Sequence, residues 1–248
     1  MAPIINISEE GLAIIDSLKN PNLKYTRVQS TSSQSSSSQN SKESRYILLD
    51  QEHQNGNYSK VDLLVPFEIT HLNEIWNECK TPTLLAKEQG YMPTIRQHVD
   101  FLTLIKSGEA FDEYGNRIDS KRLEILFDQI TAIRDPRRAE WLDAKFESGT
   151  ITYYSIEQDG TVKKITESLD DCLMQDKSPG ISLDSWLKTA NSHGMPTENT
   201  QDGNLHYWFP RKGAIAGLLA GSFLAGLSCC RDGTGRDDSL GVRVTRMK

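Results

Sequence analysis

The sequence predicts a mixed α+β protein, with helices in the earlier part of the body and strands in the later part. Three observations predict it. Apolar residues recur at helical spacing between Pro93 and Ile133. Two runs rich in Ile, Tyr, Thr and Val flank Asp159-Gly160, a hairpin signal. From Ala216 to Ser222, small and large residues alternate as in a strand with two distinct faces. A chain of 248 residues is long enough for one large domain or two small ones.

The elements follow in order. Ser8 opens a short amphipathic helix through Leu12, Ile15 and Leu18, which Asn20-Pro21 stops, within an N-terminal segment 1–29. Residues 30–44 are almost all Ser, Gln, Thr and Asn; they have nothing apolar to bury and are expected to form a disordered linker. A mostly helical scaffold is expected over 45–137. Within it, Arg45–Asp50 and Lys60–Ile69 read as strands, and Leu72–Cys79 and Thr83–Glu88 as short helices. Pro93 starts a helix with Ile95, Val99, Leu102 and Ile105 on one face. Asp119 or Ser120 caps another that lines up Leu123, Leu126, Ile130 and Ile133 and ends at Asp135-Pro136. Residues 138–248 form the last expected domain. It contains the hairpin Thr150–Ile156 with Thr161–Ile165, a short helix capped by Ser182 and carrying Leu183, Trp186 and Leu187, and a strand at Leu205–Phe209.

Composition excludes several function classes. A net charge of -6 argues against a general nucleic-acid binder, which needs a basic face. The start of the chain has no basic region followed by an apolar core, so it does not read as a signal peptide; a cytoplasmic or phage-borne protein is expected. Four Cys do not make a disulfide framework, and no CxxC or HExxH spacing occurs, so no metal and no cofactor are expected. Cys229 and Cys230 have no His beside them and, as neighbours on a strand, point to opposite faces, and no triad, phosphate loop or carboxylate pair stands out; no catalytic residue is assigned. Asp232, Asp237 and Asp238 do not follow the ligand order of a calcium loop.

The segment from Gly213 to Arg246 carries the most information. Its 34 residues contain no Lys, Glu, Gln, Met or Trp, although all five occur elsewhere. The apolar run Gly213–Cys230 accounts for part of the gap. The polar tail from Arg231 does not: it uses Arg and never Lys, Asp and never Glu. Codons of the form AAC or AAT whose adenines are replaced keep a pyrimidine in third place, and such codons encode none of the five. The coding pattern is that of a segment written by a mutator.

Three readings of the segment stand side by side. In the first, residues 213–230 form a membrane helix: 18 uncharged residues, small residues at Gly213, Gly217 and Gly221, and Lys212 and Arg231 at the ends. At 1.5 Å per residue the run spans only about 27 Å. In the second, it is a pair of buried strands closing a domain core. The third comes from resemblance. The ending Arg231-Asp-Gly-Thr-Gly-Arg-Asp-Asp-Ser-Leu-Gly-Val-Arg243 resembles the close of a C-type lectin-like domain of the formylglycine-generating-enzyme kind, where a polar turn leads to an Ile-Gly-Phe-Arg-like strand. Arg138-Ala-Glu-Trp-Leu-Asp-Ala144, Pro179-Gly-Ile-Ser182 with Trp186-Leu187, and Tyr207-Trp-Phe-Pro-Arg211 are similar to segments of the variable proteins of diversity-generating retroelements, which share that fold. Trp141, Trp186 and Trp208 are expected to be core scaffold.

The resemblance implies a C-type lectin-like domain at 138–248 and a ligand-binding protein, not an enzyme, whose segment 213–246 is diversified on a fixed scaffold. Its ligand would be a protein or cell-surface molecule, not nucleic acid or membrane. Ala216, Leu218, Ala220, Ser222, Ala225, Leu227 and Cys229 would be scaffold. A phase slip at Phe223-Leu224 requires a turn or bulge. The outward, ligand-binding positions would then be Gly217, Leu219, Gly221, Phe223, Leu224, Gly226, Ser228, Cys230, Arg231, Asp232, Arg236 and Asp237. The alternative function is a membrane-anchored protein with its transmembrane helix at 213–230. An enzyme of the formylglycine-generating type is a third.

Overall fold

In the computed structural model, residues 44–58, 60–169, 171–200 and 203–248 are described. The helix expected in 1–29 and all of the expected linker but Ser44 lie outside them. The described chain is α+β, and strands dominate it.

Two sheets organise it. The first has four strands. β1 (Tyr46–Leu49) lies between β2 (Leu63–Pro66) and β3 (Phe111–Asp112), both antiparallel to it, and β12 (Arg246–Met247) pairs with the free side of β2. In the second sheet, β6 (Val162–Ser168), β5 (Thr150–Ile156), β4 (Arg138–Glu147), β9 (Ile215–Ala220), β10 (Ala225–Arg231), β8 (Leu205–Trp208) and β7 (Lys177–Ile181) follow one another in that order; β11 (Leu240–Gly241) pairs parallel to β4. The expected hairpin is β5–β6, turned at Gly160 with φ +81°, where Asp159 accepts the Thr161 N–H.

The helices keep their sequence signals with some corrections. α1 is only Trp76–Cys79, not Leu72–Cys79, because His71 and Asn73 take left-handed backbone at φ 53° and 62°. α2 is Thr81–Glu88. α3, Ile95–Ser107, starts at a capping box of Thr94 and Gln97 and ends at Gly108 in the left-handed region. Its expected face is buried, and so are Arg96, Gln97, His98, Asp100 and Phe101, because α3 packs against β1, β4 and two further helices. Those are α4, Ser120–Thr131, capped by Asp119, and α5, Leu183–Thr189, capped by Ser182. Ile133 lies past the end of α4 and is 58% exposed, so it does not continue the apolar face of Leu123, Leu126 and Ile130.

The boundary expected at 137/138 does not separate two bodies. Glu43–Lys248 forms one compact unit, and β12 from the C-terminal region completes the first sheet. A buried charge network adds a second tie. Arg243, fully buried, meets Glu140 of β4 through two hydrogen bonds of 3.1 and 2.7 Å and also donates to the carbonyls of Pro66 and Phe67. The Leu240-Gly-Val-Arg243 motif is therefore an anchor, holding the last segment to both sheets. Although burial opposes its charge, Arg243 and then Arg138 hold the Glu140 carboxyl down at about 2.

Candidate functional site

The segment 213–230 is an antiparallel hairpin, β9–β10, and not a helix. No helix among the described residues is long and apolar enough to cross a membrane. The expected phase slip is the turn Gly221–Leu224: Gly221 N–H donates to Leu224 O at 2.8 Å, and Ala220 pairs with Ala225. A second irregularity between Ser228 and Arg231 puts Arg231 opposite Ile215.

The alternation separates two faces, but neither is free. Ala216, Leu218, Ala220, Ala225, Leu227 and Cys229 enter the main core with α3. Across the sheet, Ala139 and Trp141 of β4 and Ile215 of β9 build a second core with Trp76, Leu84, Met92, Leu240, Val242 and Val244, and Leu219 packs partly against it. The assignment of Gly217, Gly221, Gly226 and Ser228 as outward positions is therefore corrected: all four are buried. The cause is that the second core packs on Ile215 and Leu219, while Gly217 lies under Arg231 and the Glu140 backbone, Gly221 beside Arg137, and Gly226 against the His206 backbone. Arg231 reaches back over Gly217 and lies 5.2 Å from the Trp141 ring. A side chain at Gly226 would stand 2.3 Å from His206 O, inside backbone that cannot move aside. At Gly221 the nearest atoms are 3.7 Å away, an ordinary contact.

What remains on the surface falls into two places. The first is the hairpin tip. Phe223 is 91% exposed, the most exposed large apolar side chain of the described residues, and Leu224 is half-buried beside it. The tip is fixed from below: Gly221 O accepts the Arg134 N–H at 3.0 Å, which also brings the exposed Ile133 to this corner. Arg137 lies against Gly221 and pairs with Asp237 at 3.0 Å. The Ser239 hydroxyl and N–H hold the Asp237 carboxyl below its ordinary range, with help from Arg137.

The second place is an open cleft of about 460 Å³ lined by Arg211, Lys212, Gly213, Ala214, Cys230, Arg231 and Asp232. Arg211 is paired with Asp176, and the Asp232 carboxylate accepts the N–H and hydroxyl of Thr234. Arg236 points elsewhere, toward α1, where it meets Glu78 and the Asn73 carbonyl. The predicted residues thus converge as Phe223, Leu224 and Asp237 at the tip and as Cys230, Arg231 and Asp232 in the cleft.

Sequence reading missed Ile133, Arg134, Arg137 and Arg211 at these places, because their nearness to the hairpin is purely tertiary. It also placed Trp208 in the core, whereas Trp208 is half-buried and stacks on His206 at 5.6 Å. Trp141 and Trp186 are buried as expected of scaffold, each with its indole N–H on a backbone carbonyl. Cys229 is buried, which pushes its thiol well above the ordinary range. Away from the hairpin, His71, Glu74 and Cys79 bring one ligand atom each to within 4.8 Å of one another. Comparison of the chain with known protein families, with curated proteins and with solved structures finds no match.

Proposed function

We propose that this protein binds a macromolecular ligand, a protein or cell-surface molecule, through the hairpin tip and the neighbouring cleft, and that segment 213–246 is diversified on a C-type lectin-like scaffold. The observation that carries the reading is Phe223: an almost fully exposed aromatic ring on a turn whose flanking strands are mostly buried. The backbone of the turn is held by the paired strands and the Gly221–Leu224 hydrogen bond, so little backbone entropy is lost when a partner covers the ring. Aromatic and Arg side chains dominate interface energies where a partner desolvates them, and Phe223 and Arg231 are the two at hand.

The missing residue types support the diversification half, and the burial pattern narrows it. Positions free to change are Ser222, Phe223, Leu224, Asp232, Thr234, Gly235, Arg236 and Asp238, all at least partly exposed. The glycines of the strands are not among them.

The test is genetic as well as biochemical. Sequencing the gene and its flanks should find an adjacent near-copy of the segment that differs only at adenines, with amino-acid changes concentrated at the exposed positions. Changes spread evenly along the gene would overturn the diversification claim. For binding, the labelled full chain is scored on a panel of cell surfaces beside Phe223→Asp. Loss of about ten-fold or more in the variant is expected of a hot spot, and equal binding would remove the tip from the site.

A further inference from the structure

We propose that His71, Glu74 and Cys79 form a binding site for a single divalent transition-metal ion of the zinc class, with Glu88 as the group that orients the histidine. The site is independent of the recognition surface and does not rest on it.

The three ligand atoms come from a short stretch, and the fold converges them. Thr70 N–H and Asn73 N–H donate to Val242 O and Leu240 O, which pins the turn carrying His71 to the C-terminal strand. Glu74 O accepts the Trp141 indole N–H, and Cys79 ends α1 fully buried. His71 Nδ1 then lies 3.3 Å from one oxygen of Glu74, and Cys79 Sγ 3.5 Å from the other. An N–H···O hydrogen bond is most often near 2.9–3.0 Å, so the His71–Glu74 approach is loose for one. The two contacts reach different oxygens of one carboxylate, and with one of these taken as the ligand the three donor atoms lie within 4.8 Å of one another, close enough to share one ion.

The second observation is the other ring nitrogen. His71 Nε2 lies 2.5 Å from Glu88 Oε1. A metal-ligating histidine nearly always gives its remaining N–H to a carboxylate or carbonyl, which fixes the tautomer that leaves the other nitrogen bare for the metal. Here Glu88 takes the Nε2 proton and Nδ1 faces Glu74 and Cys79. Glu88 comes from α2, and its other oxygen lies 3.8 Å from the Arg246 guanidinium, which holds the carboxylate in place beside the ring.

The donor set chooses the metal. One imidazole, one carboxylate and one thiolate suit zinc, cobalt or nickel; calcium and magnesium take oxygen ligands. His71 and Glu74 keep 19% and 33% of their side-chain surface open, so a solvent molecule completes four-coordination. Binding replaces the Cys79 proton, which leaves to solvent, by a metal–sulfur bond. The spacing His-x2-Glu-x4-Cys is not one of the common zinc patterns, which is why the sequence did not reveal it.

The test titrates the full-length, chelator-treated, reduced protein with Co²⁺ alone and then with Zn²⁺ alone. One equivalent of Co²⁺ should develop a thiolate-to-cobalt charge-transfer band with intense tetrahedral visible bands, and Zn²⁺ should abolish both. Cys79→Ser should lose the thiolate band, which separates this site from Cys172, Cys229 and Cys230. Because Cys79 is buried, two milder variants guard against a folding failure. Glu88→Gln keeps all three ligands and should weaken Zn²⁺ binding by about 10- to 100-fold. His71→Gln should weaken it further, with the metal-free melting temperature unchanged in both. Absence of a saturable one-equivalent site, a thiolate band that survives Cys79→Ser, or Zn²⁺ affinity indifferent to His71→Gln would each overturn the proposal.

Discussion

The strands of the C-terminal hairpin and its tip are a few residues apart in sequence and opposite in physical character. Most strand residues, from Ile215 to Ala220 and from Ala225 to Cys229, are buried, down to Gly226, which has no room for a methyl group. The tip carries a phenylalanine that touches almost nothing. A protein that must keep one shape while changing what it presents gains from this division, because the cost of a substitution depends on what surrounds it. Core truncations commonly cost about 2–5 kcal/mol, while surface changes stay within about 0.5 kcal/mol.

The contrast can be broken most forcefully at Arg243. Replacing it with Ala removes both hydrogen bonds from buried Glu140, leaving it only Arg138 at 3.0 Å, and should cost up to about 3–5 kcal/mol in chemical denaturation. A change under 1 kcal/mol would mean that the anchor does not hold the segment. β4 offers a test of similar size with pH as the variable. Burial raises the Asp143 carboxyl from its ordinary 3.8 to about 7, so the folded state keeps its proton where the unfolded chain has lost it. The contribution of this group to stability is therefore fully present below about pH 4, declines as pH rises toward 7, and stays lost above, by something on the order of 4 kcal/mol. Glu140 works in the opposite direction: its stabilisation is present above 4.5 and is lost as pH falls toward 2. In urea midpoints measured from pH 4 to 8, Asp143→Asn should flatten the decline; an unchanged profile would show that Asp143 ionises freely in the fold.

Leu227→Ala, at the centre of the hairpin, should cost about 2–5 kcal/mol through the cavity it leaves. Gly226→Ala forces a methyl group against the His206 carbonyl and should cost about 1–3 kcal/mol, whereas Gly221→Ala meets only ordinary contacts and should be near neutral. Equal effects at the two glycines would erase the distinction between wall and turn. The smallest effect belongs to Phe223→Asp, for which the melting temperature should move by no more than a few degrees, since the ring has few neighbours to lose.

Much of this division was legible in the sequence. The alternation from Ala216 to Ser222 identified the strand, and the slip at Phe223-Leu224 located the turn. The caps at Thr94, Asp119 and Ser182 lay beside apolar periodicities that a helix needs. What escaped was set by distance along the chain. β4, the longest strand, shows no alternation because both its faces are buried, and it carries Glu140 and Asp143, which look like surface residues until Arg243 and Thr81 meet them. Gly217 is covered by Arg231 and the Glu140 backbone and Gly226 by the backbone of His206, all on neighbouring strands, so their apparent outward phase was correct and their exposure was not. His71, Glu74 and Cys79 converge only because a left-handed turn and a single turn of helix fold them together.

β12 has one further consequence. Residues 246–247 pair with Leu63 and Leu64, so this edge of the first sheet stays open until the chain has been made through segment 213–246. Contacts that span so much chain slow folding and leave the nascent body with an unprotected strand meanwhile. A ribosome that stops or shifts frame within the hairpin releases a product lacking Arg243 and β12, one whose open edge marks it for aggregation or proteolysis. Closing that edge of the first sheet therefore requires that the preceding segment be read through in frame.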